Sequence, residues 1–256
     1  MKKKMTLLCI VCLSLASCSE LLQVASQVGS SMGTGIGGMS NAENAAGLKS
    51  ALDVGIDAAI KNLGKENGFF GDAALKLLLP PEATPIIDNL SIIPGGKNLV
   101  DKAVLSLNRA AEDAVKEAGP IFKSAITNMS ILDAASILFG GHDAATNYLH
   151  KATYHSLKAA FAPKVNKSLD KPLVGNLSVV QSWNSLMTAY NSVANSVVGQ
   201  MAGLSPVNVN LGEYVTEKAL DALFKKISEK EAQIRTNPGA RVSPLLQKVF
   251  GQLDKK

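Results

Sequence analysis

An all-α fold, a multi-helix bundle of about eight helices, is predicted by three observations. Apolar residues recur three and four positions apart through most of the chain. The periodic stretches open on serine or aspartate and close on glycine or proline. No run alternates apolar and polar residues with the β-branched enrichment of strands, and no repeat of fixed length is present.

The first 39 residues stand outside that bundle. Met1-Lys2-Lys3-Lys4 is basic, and Met5 to Ala16 is apolar apart from Thr6 and Ser14. This is the build of an export signal, and it is shorter than the roughly 20 residues that cross a bilayer. It ends in Leu15-Ala16-Ser17-Cys18, where two small residues before a cysteine suit lipoprotein processing. The expected organisation is a signal peptide over 1–17, a lipidated tether over 18–39 and an all-helical domain over 40–256. Cys18 is the expected lipidation site, carrying diacylglycerol and an amide-linked acyl chain such as palmitate. At about 0.8 kcal/mol per buried methylene, three chains hold far more firmly than one. Ser19 rather than aspartate follows the cysteine, which favours the periplasmic side of an outer membrane over retention at the inner one. The glycine- and serine-rich stretch to residue 39 has a root-mean-square reach of about 25 Å.

The domain begins at Ser40-Asn41-Ala42-Glu43, a capping box. Leu48, Leu52, Ile56, Ala59, Ile60 and Leu63 then form a helical stripe, with Gly64 as its stop. Residues 65–81 are irregular, and Phe69-Phe70 and Leu77-Leu78-Leu79 read first as loop segments packed on the core, second as contacts for a partner. A short helix is expected over 82–90 and a break at Pro94-Gly95-Gly96. A long helix over 97–118 carries Leu99, Ala103, Leu107, Ala110, Ala114 and Val115 on one face, and Gly119-Pro120 ends it and starts the next. Ser130-Ile131-Leu132-Asp133 opens a short helix ending at Gly140-Gly141. The helix from about 143 is expected to break or kink near Pro163. Another follows over 178–198, with Trp183, Leu186, Tyr190, Val193 and Val197 as its stripe. The last long helix starts near 211, buries Leu220, Leu223, Phe224, Ile227 and Ile234, and turns Asp221–Lys225 and Glu231–Arg235 outward as i,i+4 pairs. Asn237-Pro238 stops it, and Ser243-Pro244 opens a final short helix.

Composition narrows the chemistry. The net charge of +5 includes Lys2, Lys3 and Lys4; without them 23 basic residues face 21 acidic ones, leaving +2. That gives no ground for nucleic-acid binding. All three cysteines, Cys9, Cys12 and Cys18, lie in the leader or at the lipidation site, so no thiol is left for a disulfide, a zinc site or nucleophilic catalysis.

Four segments in order carry a resemblance: Asn108-Arg109-Ala110-Ala111-Glu112, Gly140-Gly141-His142-Asp143-Ala144-Ala145-Thr146, Tyr214-Val215-Thr216-Glu217-Lys218-Ala219-Leu220-Asp221 and Ile234-Arg235-Thr236-Asn237-Pro238. Together they make residues 47–251 resemble an uncharacterised bacterial lipoprotein family, the domain of unknown function 4197. The resemblance implies a relative and supplies no activity.

Candidate chemistry is sparse. His142, His150 and His155 are spaced eight and five apart, not the i,i+4 that puts two imidazoles on one metal, so no metal is expected. Gly140, Gly141 and Asp143 offer an anion site at a helix start, although Asp143 acting as N-cap would fill the same place. Arg109, Glu112, Asp143, Glu217 and Arg235 form a candidate polar cluster, catalytic if they converge and a set of structural ion pairs if they do not. Tyr148, Tyr154, Trp183, Tyr190 and Tyr214 read as core aromatics with hydrogen-bonded tips rather than a stacking platform. No elbow, phosphate-loop, dinucleotide or EF-hand motif occurs, and no cofactor is expected. The expected role is a membrane-anchored, non-enzymatic binding module with a periplasmic or envelope protein as partner. An envelope-acting hydrolase and a carrier of an apolar ligand are the alternatives.

Overall fold

The computed structural model describes residues 39–90, 96–174 and 176–255. The expected leader, the expected lipidation site Cys18 and the expected tether up to residue 38 lie outside them, while Met39, placed in the tether by its sequence, is buried in the core. Helix α1 (Asn41–Leu63) starts on the expected capping box: Ser40 Oγ accepts from the Glu43 amide, and the Glu43 carboxylate accepts from Ser40 N–H. Its stripe is buried, with Leu48, Leu52, Ile56 and Leu63 each at most 5% exposed. After Gly64 the chain reverses through Asn67, whose φ of 62° is left-handed, a conformation asparagine tolerates better than most residues.

Helices α2 (Thr84–Leu90) and α3 (Gly96–Ala114) follow, the latter turning Leu107, Ala110 and Ala114 fully inward. Here the boundary differs from expectation. A 3-10 turn over Val115–Glu117 interrupts the helix, and α4 (Ala118–Asn128) carries Gly119 and Pro120 inside its first turn. Proline is at home there, because first-turn N–H groups have no partner within the helix. Helix α5 (Ile131–Leu138) starts on the second capping box, Ser130 with Asp133.

Helix α6 (Ala144–Leu169) runs through Pro163 for six more residues. Proline removes one hydrogen bond, but Phe161, Val165 and Leu169 are all fully buried on its inner face, and that packing carries the helix onward. A two-stranded antiparallel ribbon, β1 (Pro172–Val174) and β2 (Leu177–Ser178), comes next. The single helix expected over 178–198 is two: α7 (Val179–Ala194) and α8 (Val197–Met201), separated by Asn195 and by Ser196, the N-cap of α8. Helices α9 (Leu211–Thr236) and α10 (Pro244–Phe250) complete the chain.

The 26-residue helices α6 and α9 pack along each other at the centre. Helix α3 packs on both members of this pair, α1 packs on α9, α4 and α5 pack on α6, and α10 packs on α1. One continuous core joins them, including Phe69, Phe122, Phe161 and Phe250. The ends of the domain meet: Lys248 Nζ lies 3.0 Å from Glu43, and Gln252 Nε2 donates to Asn44 Oδ1 at 2.9 Å. At this contact Gly47 lets Val249 approach the α1 backbone, since a Cβ at 47 would lie 2.3 Å from Val249 Cγ2. No single helix among the described residues is long and apolar enough to cross a membrane.

Candidate functional site

The first of the sequence landmarks grips the irregular segment after α1. Asn108 is fully buried on α3; its Oδ1 accepts from Leu77 N–H at 2.9 Å and its Nδ2 donates to Leu77 O at 2.8 Å. One turn on, the Glu112 carboxylate accepts from the Phe69 amide at 3.1 Å and the Phe70 amide at 3.4 Å. Its other oxygen pairs with Arg109, which also reaches Glu66 and Asn67 Oδ1. The face of α3 thus supplies the partners that residues 66–77 lack for want of regular structure. Phe69 and Leu77 are buried under this grip, while Leu78 is exposed and Phe70 lies beneath the Lys76 ammonium, 4.2 Å from the ring centre.

The second landmark is the joint between α5 and α6, at Gly140-Gly141-His142-Asp143. Asp143 occupies the N-cap position but makes no side-chain cap hydrogen bond. The amides at the start of α6 go to Glu231 of α9: Ala145 N–H donates at 3.0 Å, and Thr146 donates from N–H and from Oγ1, both at 2.8 Å. One turn along α9, Arg235 pairs with Glu231 and donates to the carbonyls of Leu138 and Ile137 at 2.9 and 2.8 Å. A carboxylate therefore sits on the positive end of one helix and a guanidinium on the negative end of the helix before it, each favourable to the local dipole. The place that an anion would take at Gly140, Gly141 and Asp143 is filled by the protein's own carboxylate.

This reverses the expected orientation of Glu231–Arg235. Both residues are buried, at 8% and 6% exposure. The signal for it lay in the sequence: Ile227, Glu231 and Ile234 share one helical stripe, so an inward Glu231 follows from the inward isoleucines. Sequence reading also missed Arg241. Its guanidinium caps the end of α9 through the carbonyls of Ile234 and Arg235, and forms a two-point pair with Asp254. Those hydrogen bonds hold the Asp254 carboxyl below its ordinary pKa and the guanidinium above its own.

The five residues of the candidate polar cluster do not meet. Arg109 and Glu112 serve the segment after α1, and Arg235 serves the α5–α6 joint near Asp143. Glu217 pairs with Lys158 at 2.9 Å, joined by Glu213 at 3.1 Å. Along α9, Glu217 and Arg235 are about 27 Å apart at 1.5 Å per residue. The cluster is three separate structural contacts. Of the histidines, His150 lies against Phe224 and Tyr154, with ring centres 4.7 and 4.8 Å away.

Open concave space occurs at several polar places, among them a charged one of about 290 Å³ between Asp113, Lys116, Lys164 and Lys171. A groove of about 460 Å³ runs between the end of α1, the 65–72 turn and α9. In it Lys226 stands between Glu229 and Asp72, and the hydrogen bond with Glu229 raises the ammonium pKa. A second groove, about 400 Å³, lies between the end of α6, α7 and the chain entering α9. The apolar space beneath α1 and α9, lined by Leu48, Ile227 and Phe250, measures only about 20 Å³.

The surface is divided in another way. From Pro172 to Gly212 the sequence contains no Asp, Glu, Lys, Arg or His. This stretch forms the ribbon, α7 and α8, and at its tip Val193, Val197, Val198 and Met201 are 55–85% exposed.

Fold and contacts define a class: an all-helical domain whose signature polar residues bind its own backbone rather than gathering at a cleft. The chain belongs to the family described as protein of unknown function (DUF4197), whose profile matches residues 38–251. No curated protein and no solved structure matches it.

Proposed function

We propose that this chain is a lipid-anchored, non-enzymatic binding module, held at the periplasmic face of the outer membrane through Cys18 and presenting its uncharged lobe to an envelope protein. The observation that carries the binding reading is that lobe. Over 41 residues without an acidic, basic or histidine side chain, four large apolar groups face solvent at one tip. Interface centres are depleted of charge because desolvating it is costly, and exposed apolar patches on soluble domains mark contact surfaces. The anchor rests on the Leu15-Ala16-Ser17-Cys18 pattern.

The alternatives have less support. A hydrolase built on Arg109, Glu112, Asp143, Glu217 and Arg235 needs those groups at one cleft, and they serve three separate contacts. An apolar carrier needs about 300–1,000 Å³ of enclosed space, and the apolar space between α1 and α9 among the described residues offers about 20 Å³.

The test is extraction of the native protein from its own membrane, beside Cys18→Ala and Val198→Asp forms, with intact-mass measurement and cross-linking. A diacylglyceryl and acyl mass on Cys18, with one stoichiometric protein cross-linked in wild type and lost in Val198→Asp, is the expected result. An unmodified Cys18 sinks the anchor. A substrate turned over by purified protein, with turnover lost on a single polar substitution, sinks the non-enzymatic reading.

A further inference from the structure

The groove of about 400 Å³ between α6, α7 and the entry to α9 has a chemistry that nothing described so far uses. Its apolar floor comes from one face of α7, where Val180, Trp183 and Met187 follow each other at helical spacing. The Trp183 ring is fixed by its Nε1–H, which donates to Val209 O at 3.0 Å. Around this floor stand Asn166 and Asp170, one turn apart on α6, Asn184 on α7, and Asn208 and Asn210 on the incoming chain.

These polar groups are not spent on the fold. Among the described residues, the side chains of Asn166, Asp170, Asn184 and Asn208 have no hydrogen-bond or ion-pair partner. Asn210 uses only its Oδ1, which accepts from the Glu213 amide and caps α9. Elsewhere in this protein polar side chains of the landmarks are consumed by backbone, as Asn108, Glu112 and Arg235 show. Gly212, buried at the start of α9, lets the Asn166 side chain pack against that helix: a Cβ there would lie 2.1 Å from Asn166 Oδ1 and 3.3 Å from Asn210 Oδ1.

We propose that this groove binds a neutral oligosaccharide. An amide places a donor and an acceptor side by side, the arrangement that meets a pair of neighbouring hydroxyls, and a carboxylate accepts from two of them. Four amides and Asp170 thus line one groove from three elements, and the half-buried Val180 and Met187 side chains suit the C–H face of a sugar ring, while Trp183, 5% exposed, backs the groove. The lining holds no lysine, arginine or histidine, so it has no counter-charge for a phosphate or an acidic glycan. Its volume falls in the range of small-ligand sites. An extended peptide would place its hydrogen-bonding groups in a row along one edge, whereas these side chains ring a single floor. The inference does not depend on the lipid anchor or on the lobe tip, so either can fail without the other.

The chain contains one tryptophan, Trp183, and its fluorescence reports on this groove alone. The full mature protein is titrated with β-1,4-linked N-acetylglucosamine tetrasaccharide, cellotetraose and maltotetraose, followed by fluorescence and by calorimetry. The expected result is saturable binding of at least one of them, with Kd on the order of 1 mM or tighter. Asn184→Ala with Asn208→Ala weakens it about tenfold, since each lost amide removes a hydrogen bond. Both positions are exposed, so the thermal midpoint stays where it was. Silence in both readouts with all three sugars at about 10 mM overturns the proposal. Unchanged affinity in the double variant also overturns it, as does a neutral tetrapeptide that binds where the sugars do not.

Discussion

The grip of α9 on the α5–α6 joint offers the sharpest test of the fold. Glu231→Ala removes the acceptor for Ala145 N–H, Thr146 N–H and Thr146 Oγ1, and leaves the Arg235 guanidinium buried without its counter-charge. Breaking one side of a buried pair costs about 3–5 kcal/mol, and each stranded buried donor about 1–3 kcal/mol. The two penalties overlap. Truncation enlarges the neighbouring space of about 20 Å³, which then admits water to the freed groups. The expected loss is therefore about 3–5 kcal/mol, a large part of the roughly 5–15 kcal/mol that holds a domain together. With a urea slope near 2 kcal/mol/M, the unfolding midpoint falls by about 2 M. Glu231→Gln keeps the volume and one acceptor and loses the charge, so roughly half the penalty remains. Glu231→Leu with Arg235→Met removes both charges, and should cost less than the sum of its single variants. Native-state hydrogen exchange locates the damage, with Ala145 and Thr146 amides losing protection first. A Glu231→Ala loss under about 1 kcal/mol would refute the reasoning, because it would mean these groups are already solvated.

Two other perturbations probe separate parts of the molecule. Gly47→Ala places a methyl 2.3 Å from Val249 Cγ2 and should destabilise by about 1–3 kcal/mol, with partial rescue by Val249→Ala; thermal melts of the three variants decide it. Asp254 is held below its ordinary pKa by the Arg241 hydrogen bonds, so its stabilisation is full above about pH 4 and fades as pH falls through the folded-state value. Asp254→Asn should accordingly be less stable than wild type at neutral pH, and the difference should shrink below about pH 4; urea midpoints measured across that range check the sign.

What the sequence disclosed was local. Ser40 with Glu43 and Ser130 with Asp133 were readable as helix starts because each box closes within four residues. Pro163 does not break its helix: its lost hydrogen bond is visible in sequence, while the buried Phe161, Val165 and Leu169 that outweigh it depend on packing. Pro120 rightly marked a helix start, but the 3-10 turn over Val115–Glu117 that ends the preceding helix three residues earlier carries no signal in the sequence. The role of Glu231 was hidden by distance, for its partners Ala145 and Thr146 lie 86 and 85 residues away. The groove between α6 and α7 was least legible of all. Asn166, Trp183 and Asn208 come from different elements, and no spacing along the chain announces that they line one groove.

The meeting of the two ends gives the chain an order of events. A polypeptide emerges amino-terminus first, so α1 is made long before α9 and α10, against which it packs. Until those arrive, the seat for Val249 beside Gly47 stands empty, and Glu43 and Asn44 await Lys248 and Gln252. Contacts that span more than two hundred residues close slowly, and an apolar stripe left uncovered meanwhile is open to wrong partners. The last dozen residues therefore act as a latch: a chain cut short before Pro244 would keep its central pair of helices and lose the closure of its first.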